Sequence, residues 1–541
     1  MIVVYVLALR LGRWGLAGFG AIAFTVALLQ AVGFYKIAGS TQAGRLAFGR
    51  SMSVLAAQFS VIIAPPIRPD TVGGYVQWRA FGALAILFAI WALAAATGAA
   101  RGDEERGIVQ AVLAGGVSRP RLIASRIAAF ATGSLLAALA ASAGLLVGVA
   151  SGGESLSTMA AVEAALALAA LAICCYSLTL FVAQFTSARS AAAVAGVVLL
   201  ALFLINSLSR TFDFLVRWRV LSPFHYYEQS SPLPPGGVFD VRATLLLLAV
   251  AVAGTALAGL AFSYRDVGSP LIRLPASTTP PSYDMSRTAV WHIPVVRDLY
   301  DRRIGLLTWT TGLSALGVIF VVLTKSIVQP LLAIPMLVPY FSTFINGGVY
   351  PSFLGFIWFG FAQLLMAGFA ITQVARWTAE DSDGRLELIL SNPVSRIRIV
   401  VERAVVLALG ALIIAAVSGL AVGVEAHYQS IDLDRRRLSE ASLMLVPFTL
   451  VFGAIGALLA SRLPRATVGL LGAFAFASYL TVQLGPIFKM PEWVQDLSAF
   501  KLYGQPLTVG IDQTGLVIMV ALVVAGLTAS AIVMQRRDIG A

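Results

Sequence analysis

The 541-residue chain is 59% hydrophobic and only 12% charged, with a net charge of +12 and a mean hydropathy of +0.87. Soluble proteins average about 45–50% apolar and about 25% charged residues, which excludes a soluble globular enzyme, a disordered chain and a disulfide-built secreted domain. The two cysteines, Cys174 and Cys175, are adjacent and give neither a disulfide framework nor metal-knuckle spacing.

In chain order, Met1 to Leu9 is apolar and is followed by Arg10 and Arg13. It lacks the basic start and small-residue cleavage site of a signal peptide, and predicts a short helix lying on the membrane surface. Apolar blocks long enough for a hydrocarbon core of about 30 Å then predict spans near residues 14–34, 80–100, 127–150, 160–183, 190–208 and 243–264. Residues 265–297 carry Pro270, Pro275, Pro280, Pro281 and Pro294 among Ser and Thr, a composition that reads as a linker. A second set follows near 304–324, 353–375, 404–426, 441–460, 466–484 and 514–534. The fold class is an all-α polytopic membrane protein of about twelve transmembrane helices, divided as 1–264, 265–297 and 298–541.

The halves repeat. Gly107–Arg126 (GIVQAVLAGGVSRPRLIASR) aligns without a gap to Gly384–Arg403 (GRLELILSNPVSRIRIVVER) at an offset of 277 residues. Identical pairs are Gly107/Gly384, Leu113/Leu390, Val117/Val394, Ser118/Ser395, Arg119/Arg396, Arg121/Arg398 and Arg126/Arg403. Asp103, Glu104 and Glu105 precede one copy; Glu380, Asp381 and Asp383 precede the other. Arg189 echoes Arg465, LSPFHYY (221–227) echoes LSAFKLY (497–503), and YRDVG (264–268) echoes RRDIG (536–540). Four echoes in one order point to duplication. Six spans per half make the repeat parallel. Most of the Arg and Lys residues fall on loops sharing a side with the motif, so the motif and both termini are expected to be cytoplasmic; Arg435, Arg436 and Arg437 run against that trend. The net +12 is thereby a topology signal, with no nucleic-acid partner implied.

Each copy predicts a span end, an acidic cluster near the N-terminus of a short amphipathic helix, then a breaker (Gly115-Gly116 or Asn392-Pro393). Leu386, Ile389 and Leu390 define the apolar face in the second copy, and Ser118 or Ser395 is placed to cap the next span. Such a helix, tied to two spans, could pass force from a docked soluble partner.

These motifs, the SPFHYY segment and the Arg-Asp pair closing each half resemble ABC-2 type exporter permeases, in detail the fused twelve-span permeases of actinobacterial tetronasin/polyketide-antibiotic and multidrug exporters. The resemblance implies a type V exporter-like fold with coupling helices at 103–118 and 380–395. Its ATPase-coupling residues would be Asp103, Glu104, Glu105, Gly107, Val117, Ser118 and Arg119 in one copy, and Glu380, Asp381, Gly384, Glu387, Val394, Ser395 and Arg396 in the other. It also implies elbow helices at about 2–12 and 295–303, and partly re-entrant extracellular helices within 209–242 and 485–512. The first copy departs from the second in having Gly115-Gly116 in place of Asn392-Pro393, which implies docking helices of different rigidity.

A nucleotide-binding loop needs a Gly-Lys-Ser/Thr sequence, and none of the four lysines, Lys36, Lys325, Lys489 and Lys501, follows a glycine. Any ATP and Mg therefore belong to a separate ATPase subunit, expected in two copies; the chain itself is not expected to be an enzyme or to hold a metal. His225, His292 and His427 are dispersed. Glu163, Glu440 and Glu425 sit at span ends and read as interfacial anchors, and Cys174 and Cys175 as packing residues. In the resembled family spans 2, 5, 8 and 11 build the substrate route. Here they offer Phe88, Trp91, Phe203, Asn206, Phe356, Trp358, Phe359, Gln363, Phe474, Phe476, Tyr479 and Gln483, an aromatic lining with few amides that suits a bulky hydrophobic substrate. Asn206, Gln363 and Gln483 should point inward, because an amide facing hydrocarbon is costly. The expected function is efflux of hydrophobic drugs or antibiotics across the cytoplasmic membrane by alternating access. The alternatives are export of an endogenous lipid or cell-wall precursor, and an ion-coupled transporter, which the scarcity of mid-span titratable groups disfavours.

Overall fold

The computed structural model describes residues 2–39, 41–58, 64–210, 212–271, 293–332, 348–382, 384–391, 393–464, 466–488 and 490–537. Asp383, Asn392, Arg465, His292 and most of the 265–297 segment lie outside them, as does the end of the RRDIG echo. Within them the protein is helical, and it divides into two compact units, Met1–Pro280 and Pro281–Ala541.

The first unit contains α1 (Ile2–Ala38), α2 (Gln42–Gln58) and α3 (Val72–Glu105). Next come a short α4 (Ile108–Ala114), then α5 (Arg119–Ser151), α6 (Thr158–Val182) and α7 (Ala188–Leu208). A short α8 (Pro223–Glu228) precedes α9 (Val241–Tyr264). The predicted surface helix at 2–12 is not separate: residues 2–38 form one helix. No proline interrupts it, and a single exposed glycine such as Gly12 costs a helix only about 1 kcal/mol. Helix α2 was not foreseen, because its Gly, Ser and Arg residues break the apolar run.

Small residues set the packing. Ala23, Ala27 and Ala31 recur every fourth residue on α1 and are fully buried against α5. There Gly144 and Gly148 bring the backbones so close that an added side chain would strike Phe24 or Ala31. Cys174 and Cys175 are buried and unbonded in the same small-residue core, in keeping with the packing role.

The second unit begins with α10 (Pro294–Asp301), a separate eight-residue helix where the second elbow is expected. It continues through α11 (Arg303–Leu332), α12 (Val349–Ser382), α13 (Arg385–Leu390), α14 (Arg396–Tyr428) and α15 (Arg435–Arg462). The last elements are α16 (Thr467–Phe488), α17 (Glu492–Asp496), α18 (Ala499–Tyr503) and α19 (Gln513–Arg536). Among the described residues eleven helices are long and apolar enough to cross a membrane, and α16 is a twelfth, shorter apolar helix. The protein is thus a multi-pass membrane protein.

Two turns of α3 are wide. Gly82 donates its N–H to Gln77, and Asp103 to Gly98, five residues back in each case, so Gln77–Phe81 and Gly98–Gly102 are π-helical. The helix in the same place of the second unit, α12, runs α-helical from Val349 to Ser382.

Candidate functional site

The repeated motif folds into the same device in each unit. Gly107 and Gly384 precede the short helices with φ of +74° and +71°, a left-handed conformation that only glycine adopts without penalty. Their identity in the two copies is therefore a backbone requirement.

Beside each glycine an ion-pair pattern recurs. In the first unit Arg126 meets Asp103 at 2.8 Å and Arg265 meets Glu104. In the second, Arg403 meets Glu380 at 2.5 Å and Arg537 meets Asp381 at 2.7 Å. Arg119 donates to the carbonyls of Phe262 (2.8 Å), Ser263 (3.2 Å) and Arg265 (2.7 Å) at the end of α9. Arg396 does the same to Met534 (2.7 Å), Gln535 (3.1 Å) and Arg537 (2.7 Å) at the end of α19. These cations satisfy carbonyls that a helix end leaves open and complement its dipole. The Arg-Asp pair closing each half is thus the far side of the motif: its arginine clamps the acidic cluster to the last span of its own unit.

The acidic residues sit otherwise than expected. They end the preceding span rather than open the short helix, and two of the three in the first copy face inward. Glu104 is 5% exposed between Arg101 and Arg265, which are 2% and 3% exposed. Arg101 donates to Glu104 Oε2 at 2.9 Å and to the carbonyls of Ala183 (2.8 Å) and Thr186 (2.5 Å). Arg265 donates to the same carboxylate at 3.1 Å and to Gln184 Oε1 at 2.8 Å. Thr378 stands where the second copy would have an Arg101 counterpart, and there the pair is more open, with the Arg537 side chain 28% exposed. Glu105 alone of the first cluster is exposed.

The short helices keep a buried and an outward face. Val109 is buried in α4; Leu386 is buried in α13, with Leu390 and Val394 packed on Ile399, Val400 and Met534. Ile389, expected on the apolar face, instead points outward beside Leu388, at 41% and 75% exposure, because the inner face of this six-residue helix is already filled by Leu386 and Leu390. Glu387 is exposed next to them. Ser395 caps α14 by accepting from the Arg398 N–H, whereas Ser118 makes no such bond to α5, in which Pro120 takes a first-turn position. Val117 packs on the core of its unit.

A model of the family described as "multidrug efflux system permease Rv1217c, C-terminal domain" matches residues 5–263 and 299–536, nine-tenths of the chain and both copies of the device. The chain belongs to this family. A comparison with curated proteins gives no match.

The aromatic residues of the permease's expected substrate route are partly consumed by packing within each unit. Phe88 is fully buried, edge-on to Phe19 and Trp91, and Trp91 stacks on Phe19 at 4.5 Å. Phe203 packs edge-on against Phe224 at 5.2 Å, and its counterpart Tyr479 against Phe500 at 5.5 Å. Trp358 and Phe359 are buried, Phe474 and Phe476 are half-buried, and Phe356 is exposed. Asn206 and Gln363 are buried, at 2% and 7% exposure, and the Asn206 amide nitrogen finds no partner among the described residues. The Gln483 side chain lies outside the described residues.

The loops between the last two spans of each half hold short helices. Tyr227 of α8 donates to the Phe81 carbonyl at 3.1 Å, and Tyr503 of α18 to the Ala441 carbonyl at 2.7 Å. Burial raises the phenol pKa of both, which keeps them neutral donors. Arg101 escaped sequence reasoning, and Arg265 was marked only as part of the repeated Arg-Asp pair, without its partner Glu104. For Arg101 the signal was an arginine inside an apolar span end, which in a membrane protein demands a partner.

Proposed function

We propose that this permease is the membrane subunit of an ATP-driven exporter of hydrophobic drugs or antibiotics. Two copies of a separate nucleotide-binding subunit, carrying ATP and Mg, would dock on its two short helices at the cytoplasmic face and drive alternating access. The observation that carries the reading is the duplicated device: a short helix with an outward face, whose preceding span is tied by ion pairs to the following span and to the last span of its unit, deeply buried in the first copy and more open in the second. A rigid lever of this kind is needed where motion enters a bundle from outside, whereas a solvated loop needs no such clamp. Under this reading the contact surface is not the acidic cluster as a whole. It is Glu105, Ala111 and Ala114 on one copy, and Glu387, Leu388 and Ile389 on the other, with Gly107, Ser118, Arg119, Gly384, Ser395 and Arg396 as its framework. The half-buried Trp91, Phe203, Phe476 and Tyr479, with Asn206, Gln363 and Gln483, remain the proposed substrate contacts, whereas Phe88, Trp358 and Phe359 are taken up by packing.

The test is to co-express the chain with a candidate nucleotide-binding subunit and follow extrusion of a fluorescent hydrophobic dye from vesicles. ATP-dependent extrusion is expected. A Leu388→Asp/Ile389→Asp variant should lose extrusion and subunit co-purification while retaining its melting temperature. Dye extrusion driven by a proton gradient without ATP would overturn the reading.

A further inference from the structure

Between α1, α3 and α5 of the first unit lies a cavity of about 280 Å³, just under the roughly 300–1,000 Å³ of small-molecule sites. Its walls are apolar, with Leu11 and Leu16 from α1, Trp91 from α3 and Phe130 from α5. Glycines hold it open: a Cβ placed on Gly12 or Gly98 would meet nothing within 4 Å. Gly98 opens the wide turn that ends α3.

One end of the cavity is charged. Arg126 is neutralised there by Asp103 at 2.8 Å. Among the described residues Arg106 meets the same carboxylate, at 3.5 Å, and the Gly102 carbonyl at 3.1 Å, and its side chain is 61% exposed. Arg10 and Arg13 are exposed on the stretch of α1 that lines the cavity. Against these cations stands Glu105, exposed on the same segment; Glu104 is turned away into Arg101 and Arg265. The charge left over at the mouth is positive. Beside it, α1 presents Val3 and Trp14 outward, at 80% and 77% exposure, with Arg13 over the Trp14 ring. An aromatic and an arginine side by side on an apolar face is the pattern of a bilayer interface.

We propose that this cavity is a binding site for an anionic phospholipid of the surrounding leaflet. One acyl chain enters between α1, α3 and α5, against Trp91 and Phe130, and the phosphate rests on Arg106. A neutral drug-like molecule would leave the basic mouth without a partner. A water-soluble phosphate would leave the apolar walls empty. The volume admits part of one chain, so the second stays in the bilayer. The site lies inside one unit and does not depend on how transport is powered.

The test uses the full-length protein in vesicles containing either phosphatidylglycerol or phosphatidylcholine with a photoactivatable group on one acyl chain, the cross-links being mapped by mass spectrometry. Phosphatidylglycerol should label residues 7–16 and 91–99 in preference to phosphatidylcholine. Arg106→Gln should lower that labelling roughly fivefold, the weight of one cation beside an anionic surface. Gly12→Leu and Gly98→Leu fill the cavity from different helices, and each should abolish labelling by both lipids. Excess glycerol phosphate should leave the labelling unchanged. Equal labelling by the two lipids, or labelling unaffected by Arg106→Gln, overturns the headgroup assignment. Persistence of labelling in either leucine variant with parental melting behaviour overturns the site, and displacement by glycerol phosphate overturns the lipid as the occupant.

Discussion

Replacing Glu104 by Gln changes almost no volume but removes the one carboxylate shared by two buried arginines. At an effective dielectric of about 20, each pair gains about 4 kcal/mol of gross attraction at 4 Å, which offsets the cost of burying both guanidinium groups. Arg101 and Arg265 meet the carboxylate at 2.9 and 3.1 Å, with both arginine side chains at most 3% exposed. Breaking a buried pair on one side costs about 3–5 kcal/mol, because the surviving charge stays buried. The second copy supplies the control. Asp381→Asn removes the counterpart pair, whose arginine side chain is 28% exposed, and the loss should be about 1 kcal/mol or less. At about 2–4 °C per kcal/mol for units of a few hundred residues, Glu104→Gln should lower the unfolding temperature by roughly 6–20 °C and Asp381→Asn by only a few degrees. Thermal unfolding of both purified proteins in detergent, followed by tryptophan fluorescence and by loss of the monodisperse chromatographic peak, reads the difference. Equal melting temperatures for the two variants would refute the claim that burial fixes the first segment more firmly than the second.

Three further outcomes follow from the same geometry. Gly107→Ala and Gly384→Ala force a side chain into φ near +70° and should each cost about 1–2 kcal/mol in thermal melts, with equal effects in the two copies. Arg119→Ala and Arg396→Ala strip three carbonyls of their donor, and hydrogen exchange should speed up over the last turn of α9 in one variant and of α19 in the other. Tyr503→Phe should destabilise the second unit by about 1 kcal/mol through loss of its bond to Ala441, whereas Tyr226→Phe, whose hydroxyl sits on an exposed carbonyl, should fall below half of that.

Apolar run length carries most of the fold, since a span needs about 20 residues free of charge and little else in this chain meets that. The repeat was legible because the duplicated residues answer to backbone and helix-end demands that side-chain drift cannot relieve: Gly107 and Gly384 need a left-handed φ, and Arg119 and Arg396 close a helix end. What stayed hidden was partnership. Glu104 and Arg265 are 161 residues apart, and no local pattern says that a charge in an acidic cluster turns inward. The fusion of residues 2–12 with the first span was equally invisible, since a surface helix and the overhang of a long span share one composition. Helix α2 and the outward Ile389 were lost to short, broken periodicity. Of the aromatics, sequence could place Phe88 or Trp358 on a span, but not say which neighbour already occupied its ring.

The wide turn at Gly98–Gly102 has a consequence for how the chain tolerates insertion and deletion. A π turn holds one residue more than an α turn, while each α-helical residue advances the helix by about 100°. Deleting Ala99 or Ala100 from the turn would restore regular pitch and leave Asp103 and Glu104 at nearly their present azimuth. Deleting one from the regular stretch Gly82–Thr97 would swing both carboxylates about 100° away from Arg126 and Arg265. The turn is a phase adjuster: it decouples the rotation of the acidic pair from the packing of Phe88 and Trp91 on the same helix, so that the two ends of one span can be tuned separately.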